Sequence, residues 1–366
     1  MDLRDELERE LGELYSIQTE LGGGGMSRVF LAEETALGRR VVVKVLPREL
    51  TGGVNVDRFR REIMLAAQLQ HPHIVTLLST GQVAGVPYYT MPYEEGRSLR
   101  AHLREHGPLP VGETLGLLGD VAKALAYAHD HGVIHRDIKP DNILLCGGAA
   151  VVTDFGVAKA VSDSKDSAPV PHGDTLTQIG MSIGTPTYMA PEQAAAEPDV
   201  DHRADLYAFG CTAYEMLAGR PPFCDLAPRK LLAAHLSTPP APILTHRPDL
   251  PVALATLVMR CLAKEPADRP QHANELLGAL EVISIGEERT ARTRTVSESL
   301  GRKLGLGFLA LLLVAIIARA SIIALGLPEW VLPAMLVAAV LAIVTIVGRG
   351  AGAARVTPLT PARRGE

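Results

Sequence analysis

His135-Arg136-Asp137-Ile138-Lys139-Pro140-Asp141-Asn142 is the stretch whose reading decides the fold. Within eight residues it places a candidate proton acceptor (Asp137), a cation (Lys139) and an amide-bearing candidate metal ligand (Asn142). Beyond it, Ile143 to Cys146 and Ala149 to Thr153 are apolar runs joined by Gly147-Gly148, which predicts a β-hairpin. A hairpin brings its two ends together, so Asn142 and Asp154 are expected side by side at its open end. One amide oxygen and one carboxylate so placed suit a hard divalent cation such as Mg²⁺, which favours oxygen ligands. The same residues also read as a polar loop capping a hairpin, and the stretch alone does not decide between the two.

Working outward, His-Arg-Asp-Ile-Lys-Pro-Asp-Asn followed by Asp154-Phe155-Gly156 resembles the catalytic loop and metal-binding triplet of protein kinases. The ordered motif series over roughly residues 15 to 280 is similar to a bacterial, eukaryotic-like (Hanks-type) serine/threonine kinase. The resemblance implies an α+β fold of two lobes, the first β-rich (15–92) and the second helical (93–280), with ATP and Mg²⁺ (or Mn²⁺) as cofactors. Upstream, Leu21-Gly22-Gly23-Gly24-Gly25-Met26-Ser27-Arg28-Val29 lies between two strand-like runs, Tyr15 to Leu21 and Phe30 to Ala32. Glycines there let backbone N–H groups approach phosphates, although a four-glycine run also reads as a flexible turn. By resemblance it is the phosphate-covering loop, with Ser27 standing where the family has its third glycine.

Val41-Val42-Val43-Lys44-Val45 is a buried-strand pattern interrupted by one lysine. A lysine among valines needs a partner, since burying an unpaired ammonium is costly; a strand-edge lysine reaching solvent is the alternative. The family pairs it with a helical glutamate, here Glu62. Residues 86–93 read as another strand, and the resemblance puts Met91 behind an adenine pocket, with Tyr93 and Glu94 lending backbone groups. The segment from Thr114 to His131 is an amphipathic helix, in which His129 and His131 are expected to be structural. By the same resemblance Lys139 and Thr185 mark the serine/threonine-specific form of the loop. Asp205 ties down the catalytic loop, and Arg269 is the buried partner of Glu192. Arg136 suggests switching by activation-loop phosphorylation, with Thr177 and then Thr175 as candidate sites, modified in trans by a second copy.

The formal net charge of −5 carries no nucleic-acid footprint, and Cys146, Cys211, Cys224 and Cys261 lack a C-x-x-C spacing, which fits a reducing cytosol. Residues 1–14 carry Leu3, Leu7, Leu11 and Leu14 at helical spacing, an amphipathic helix expected to pack on the first lobe rather than act as a signal. Residues 281–303 read as a linker. Two apolar segments follow, 304–327 with Arg319 inside it, and 330–347, whose 18 uncharged residues reach about 27 Å as a helix. Arg292, Arg294, Arg302 and Lys303 precede them, and Arg349, Arg355, Arg363 and Arg364 follow in the basic tail 348–366. That pattern predicts a transmembrane helical hairpin with both ends and the kinase domain on the cytoplasmic side of the inner (plasma) membrane. One span at 330–347 with 304–318 lying in the interface is the alternative topology. The expected activity is ATP-dependent phosphorylation of serine or threonine on protein substrates. A membrane-bound nucleotide-binding pseudokinase scaffold is the competing reading.

Overall fold

The computed structural model describes residues 2–24, 27–46, 56–157 and 186–286, together with positions 309, 312, 313, 316 and 337. Residues Met1–Gly286 form one compact unit and Glu287–Glu366 a second.

The first lobe is a five-stranded antiparallel sheet, β1 (Tyr15–Gly24), β2 (Ser27–Glu34), β3 (Arg39–Val45), β4 (Ser79–Val83) and β5 (Val86–Pro92), in the order β1-β2-β3-β5-β4. Side chains alternate across a strand, and β3 uses both faces. Val41, Val43 and Val45 join Leu7 and Leu11 of helix α1 (Leu3–Leu11), with Phe30 and Tyr88. Val42 joins Phe59, Ile63 and Ala66 of α2 (Val56–Ala66), with Tyr89 and Met91. Leu7 and Leu11 thus pack into the sheet's core as their spacing predicts, but the helix ends at Leu11 before Gly12, short of the expected residue 14, and Leu14 is exposed. Period two also puts Lys44 on the α2 face, away from α1.

The second lobe begins with β6 (Arg97–Ser98) and α3 (Leu99–His106), whose first turn is capped by Ser98 Oγ accepting from Ala101 N–H at 3.2 Å. Helix α4 (Val111–Asp130) starts three residues before the expected Thr114. Pro110 supplies an extended residue ahead of the first turn, while Gly112 within that turn obscures the helical pattern. The hairpin forms as expected, β7 (Ile143–Cys146) pairing β8 (Ala149–Val152) with Cys146 opposite Ala149. Gly147 and Gly148 adopt φ 58° and 87°, the paired left-handed residues that a two-residue hairpin turn demands.

Among the described residues the lobe continues with α5 (Pro191–Ala194), α6 (Arg203–Ala218), α7 (Pro228–Ser237) and α8 (Val252–Cys261). A further helix, α9, covers residues 273–286. It runs past the expected boundary at 280, because Leu280 and Ile283 still pack on the core. Helix α6 is buried on nearly every side and forms the axis of the lobe. Gly210 makes its contact with α8 possible: a Cβ there would lie 2.6 Å from Cys261 Cβ and 3.3 Å from that residue's carbonyl carbon.

The expected spans 304–327 and 330–347 lie outside the described residues except at Leu309, Leu312, Leu313, Ile316 and Val337, which are helical and exposed. Among the described residues no helix is long and apolar enough to cross a membrane.

Candidate active site

The catalytic-loop residues meet where β7 begins. A short 3-10 turn, Pro140–Asn142, reverses the chain and buries Asn142. Asn142 Nδ2 donates to the Asp137 carbonyl at 2.9 Å and to Asp137 Oδ2 at 3.0 Å. Lys139 Nζ reaches the same Oδ2 at 2.7 Å. With Nδ2 committed to Asp137, the planar amide turns its oxygen the other way. At the hairpin's open end Thr153 N–H donates to the Asn142 carbonyl at 3.0 Å, so Asn142 and Asp154 flank one ladder, as the hairpin implies.

Asp154 receives Lys44 Nζ on Oδ2 at 2.6 Å and the Tyr89 hydroxyl on Oδ1 at 2.8 Å. Glu62, the partner expected for Lys44, sits half-buried on α2. The expectation that an ammonium among valines needs a partner is met by Asp154, which the hairpin delivers to the same face of the sheet. Burial acts to raise the Asp154 carboxyl, but Lys44, Tyr89 and His135 outweigh it and hold it below the usual carboxylate range. Burial pushes Asp137 the other way, above that range, against the pull of Lys139, His135 and Asn142. Tyr89 is driven well above an ordinary phenol by burial, then by Asp154 and by Asp137.

The loop is suspended from α6. Asp205, fully buried, accepts His135 N–H on Oδ2 at 2.8 Å and Arg136 N–H on Oδ1 at 2.7 Å. His129 Nε2 lies 2.8 Å from Asp205 Oδ2. Burial opposes ionisation of Asp205, yet His129, His135 and the loop N–H keep its carboxyl below the usual range. His129 is thus structural, as expected, but coupled to the loop through Asp205.

In the glycine-rich stretch, β1 and β2 pair as far as Gly24 opposite Ser27, and Gly22 adopts φ 135°. Leu21 is exposed. Gly25 and Met26 lie outside the described residues, and the side-chain surroundings of positions 23 and 24 are likewise not described. Arg28 turns to Glu20 and Asp2, which hold it at 2.7 Å and 3.2 Å, and Val29 opposes Lys44 across the β2–β3 ladder. At the other edge Met91 is buried against Thr153, whose hydroxyl donates to its Sδ at 3.3 Å. Tyr93 N–H is taken by the Arg40 carbonyl at 3.2 Å and its ring lies under Arg40, and half-buried Glu94 follows. Thr175, Thr177 and Thr185 lie outside the described residues.

The sequence reading missed a buried polar cluster beside the loop. Arg100 of α3 donates to Asp141 Oδ2 at 3.1 Å and also bonds Glu215 and the Tyr188 hydroxyl, which itself bonds Glu215. It also missed Tyr89 and Gln193. Period two in β5 does place Tyr89 on the Lys44 face; no local signal marks the others.

A β-rich lobe and a helical lobe, with a lysine, two carboxylates and a carboxamide brought together from β3, the loop before β7 and the end of β8, define a protein kinase fold. The chain belongs to the protein kinase domain family, which it matches over residues 15–279, in its bacterial, Hanks-type serine/threonine branch. It is 39% identical over 284 residues to a probable serine/threonine-protein kinase of Corynebacterium efficiens, covering 75% of this chain and 42% of that protein. It is 40% identical over 273 residues to serine/threonine-protein kinase pkn2 of Myxococcus xanthus, covering 73% of this chain and 32% of that protein. Over 283 residues it is 39% identical to serine/threonine-protein kinase PknB of Mycobacterium tuberculosis, covering 76% and 44%. The chain therefore spans from about a third to just under half the length of these relatives.

Proposed function

We propose that this protein transfers the γ-phosphoryl group of ATP to serine or threonine hydroxyls of protein substrates. One observation carries the reading: Lys139 and Asn142 converge on Asp137, while Lys44 and Tyr89 meet on Asp154 at the open end of the same hairpin. Phosphoryl transfer asks for alignment and for neutralisation of charge rather than covalent work by the protein. Asp137, its carboxyl raised toward a useful proton acceptor, orients the incoming hydroxyl and takes its proton. Lys139 supplies positive charge beside the transferred group, and Lys44 takes the other phosphates. The Leu21–Val29 loop covers them and excludes water, and Met91, Tyr93 and Glu94 line the base.

Asp154 and the outward amide oxygen of Asn142 are hard oxygen donors at the open end of one hairpin, a set that fits Mg²⁺ or Mn²⁺. The bound ion would neutralise charge on the triphosphate. Glu62 remains the candidate second partner of Lys44, and Thr185 the candidate residue bridging Asp137 and Lys139. The pseudokinase scaffold reading is not favoured, because Lys44, Asp137 and Asp154 are all present and convergent. Incorporation of labelled phosphate from Mg-ATP into a serine-containing acceptor tests the proposal; a chain that binds ATP without transfer would support the scaffold instead.

The regulatory reading rests on Arg136. Its Nε is buried with no hydrogen-bond partner among the described residues, a donor suited to a phosphate on Thr177 or Thr175 placed there by a second copy. Phosphopeptide mapping of active protein that finds both threonines unmodified would dispose of it. Membrane anchoring rests on residues 304–347. Leu309, Leu312, Leu313 and Ile316 recur at i, i+3, i+4 and i+7 on a helix, all exposed, an apolar stripe suited to lipid. Recovery of the full chain in the soluble fraction after lysis without detergent would argue against a cytoplasm-facing kinase held by this hairpin.

A further inference from the structure

Gln193 lies in α5, between the buried Glu192 and Ala194. Its Oε1 accepts Ala190 N–H at 3.1 Å, and its Nε2 donates to the Arg136 carbonyl at 2.9 Å. Arg136 adopts φ 68°, a left-handed conformation that a side chain with a Cβ adopts only when its surroundings over-determine it. Its N–H is held by Asp205 Oδ1 at 2.7 Å, which fixes the peptide before it. Gln193 fixes the peptide after it. That second peptide carries the N–H of Asp137, which goes to His135 Nδ1 at 3.2 Å. Helix α5 is anchored in turn by Glu192, whose two oxygens take Arg269 at 2.6 Å and 2.8 Å.

We propose that Gln193 is a positioning residue for Asp137: by holding the Arg136 carbonyl it makes the orientation of that carboxylate depend on the docking of residues 186–194. The inference rests on Asp137 being the proton acceptor. A helix-capping role would need only Oε1; the bond to Arg136 needs the amide nitrogen. Gln193→Glu separates the two roles. It keeps an acceptor for Ala190 N–H and adds a negative charge near a helix N-terminus, both favourable locally. It also replaces the donor to Arg136 with an oxygen facing an oxygen.

The test compares the full chain with Gln193→Glu and Gln193→Ala, measuring kcat, KM for ATP, thermal melting and amide exchange at 136 and 137. For Gln193→Glu the expected result is an unchanged KM for ATP, faster exchange at both amides, and kcat lower by about ten- to a hundredfold, the upper end being what a misplacement of about 1 Å costs. Gln193→Ala, which loses both bonds, should lose a comparable share of kcat and melt below wild type. A Gln193→Glu protein with wild-type kcat and wild-type exchange would overturn the proposal. If the wild type itself transfers no phosphate, the phosphotransfer reading fails, while unchanged exchange at 136 and 137 would separately refute the coupling.

Discussion

Lys44 Nζ stands 2.6 Å from Asp154 Oδ2, with the two side chains only 12% and 14% exposed. The lysine comes from the middle of a valine strand and the carboxylate from the end of the Gly-Gly hairpin, so this pair stitches one lobe to the other. Removing one partner of such a pair leaves a charge stranded, typically at a cost of about 3–5 kcal/mol. Lys44→Met should therefore lower the thermal midpoint as well as abolish transfer. A variant that melts with wild type would mean the pair contributes nothing to docking the lobes.

Arg269 is fully buried and holds Glu192 through its two terminal guanidinium nitrogens, while donating to the carbonyls of Arg203, Ala263 and Lys264. Arg269→Ala should destabilise the helical lobe by about 3–5 kcal/mol. Denaturant unfolding followed by tryptophan-independent far-ultraviolet dichroism measures this directly, and a midpoint equal to wild type would contradict it.

Arg100 joins Asp141, Tyr188 and Glu215, so it ties the catalytic loop to the chain that follows residue 186. Glu215 is only 6% exposed at its side chain and would be left without its guanidinium in Arg100→Ala. The expected outcome is a KM for protein acceptor raised about tenfold or more, with KM for ATP little changed. Equal rises in both would assign Arg100 to general stability instead.

His235 is fully buried, with Nδ1 2.9 Å from the Tyr207 hydroxyl and with the Lys264 ammonium bonded to its carbonyl at 2.8 Å. Burial first, and Lys264 second, depress its pKa to about 4. The unfolded chain, with an ordinary histidine near 6.5, binds the proton first as pH falls. Stability from this group is complete above about 6.5 and is lost between there and about 4, amounting to about 3 kcal/mol. Stability measured from pH 7 to pH 4 should fall less steeply in His235→Gln than in wild type; parallel curves would rule this source out.

Much of the site was legible because it is local or periodic. The Gly147-Gly148 turn sets the hairpin, and the hairpin alone brings Asn142 beside Asp154. Alternation in Val41–Val45 tells which face Lys44 takes. What alternation cannot tell is that a carboxylate 110 residues away, Asp154, also reaches that face; tertiary placement brings it there. Gln193 and Arg100 were silent for the same reason: their partners are a backbone carbonyl and side chains dozens of residues away. Gly112 disguised the first turn of α4, where helix propensity is weak and packing decides.

Transfer of phosphate from Mg-ATP to a serine or threonine acceptor, measured on the full chain beside Asp137→Asn, bears most directly on the central claim. Wild type should transfer, and Asp137→Asn should bind nucleotide normally yet transfer at least about a hundredfold more slowly. Equal incorporation by the two proteins would contradict the assignment of Asp137 and, with it, the reading of this site.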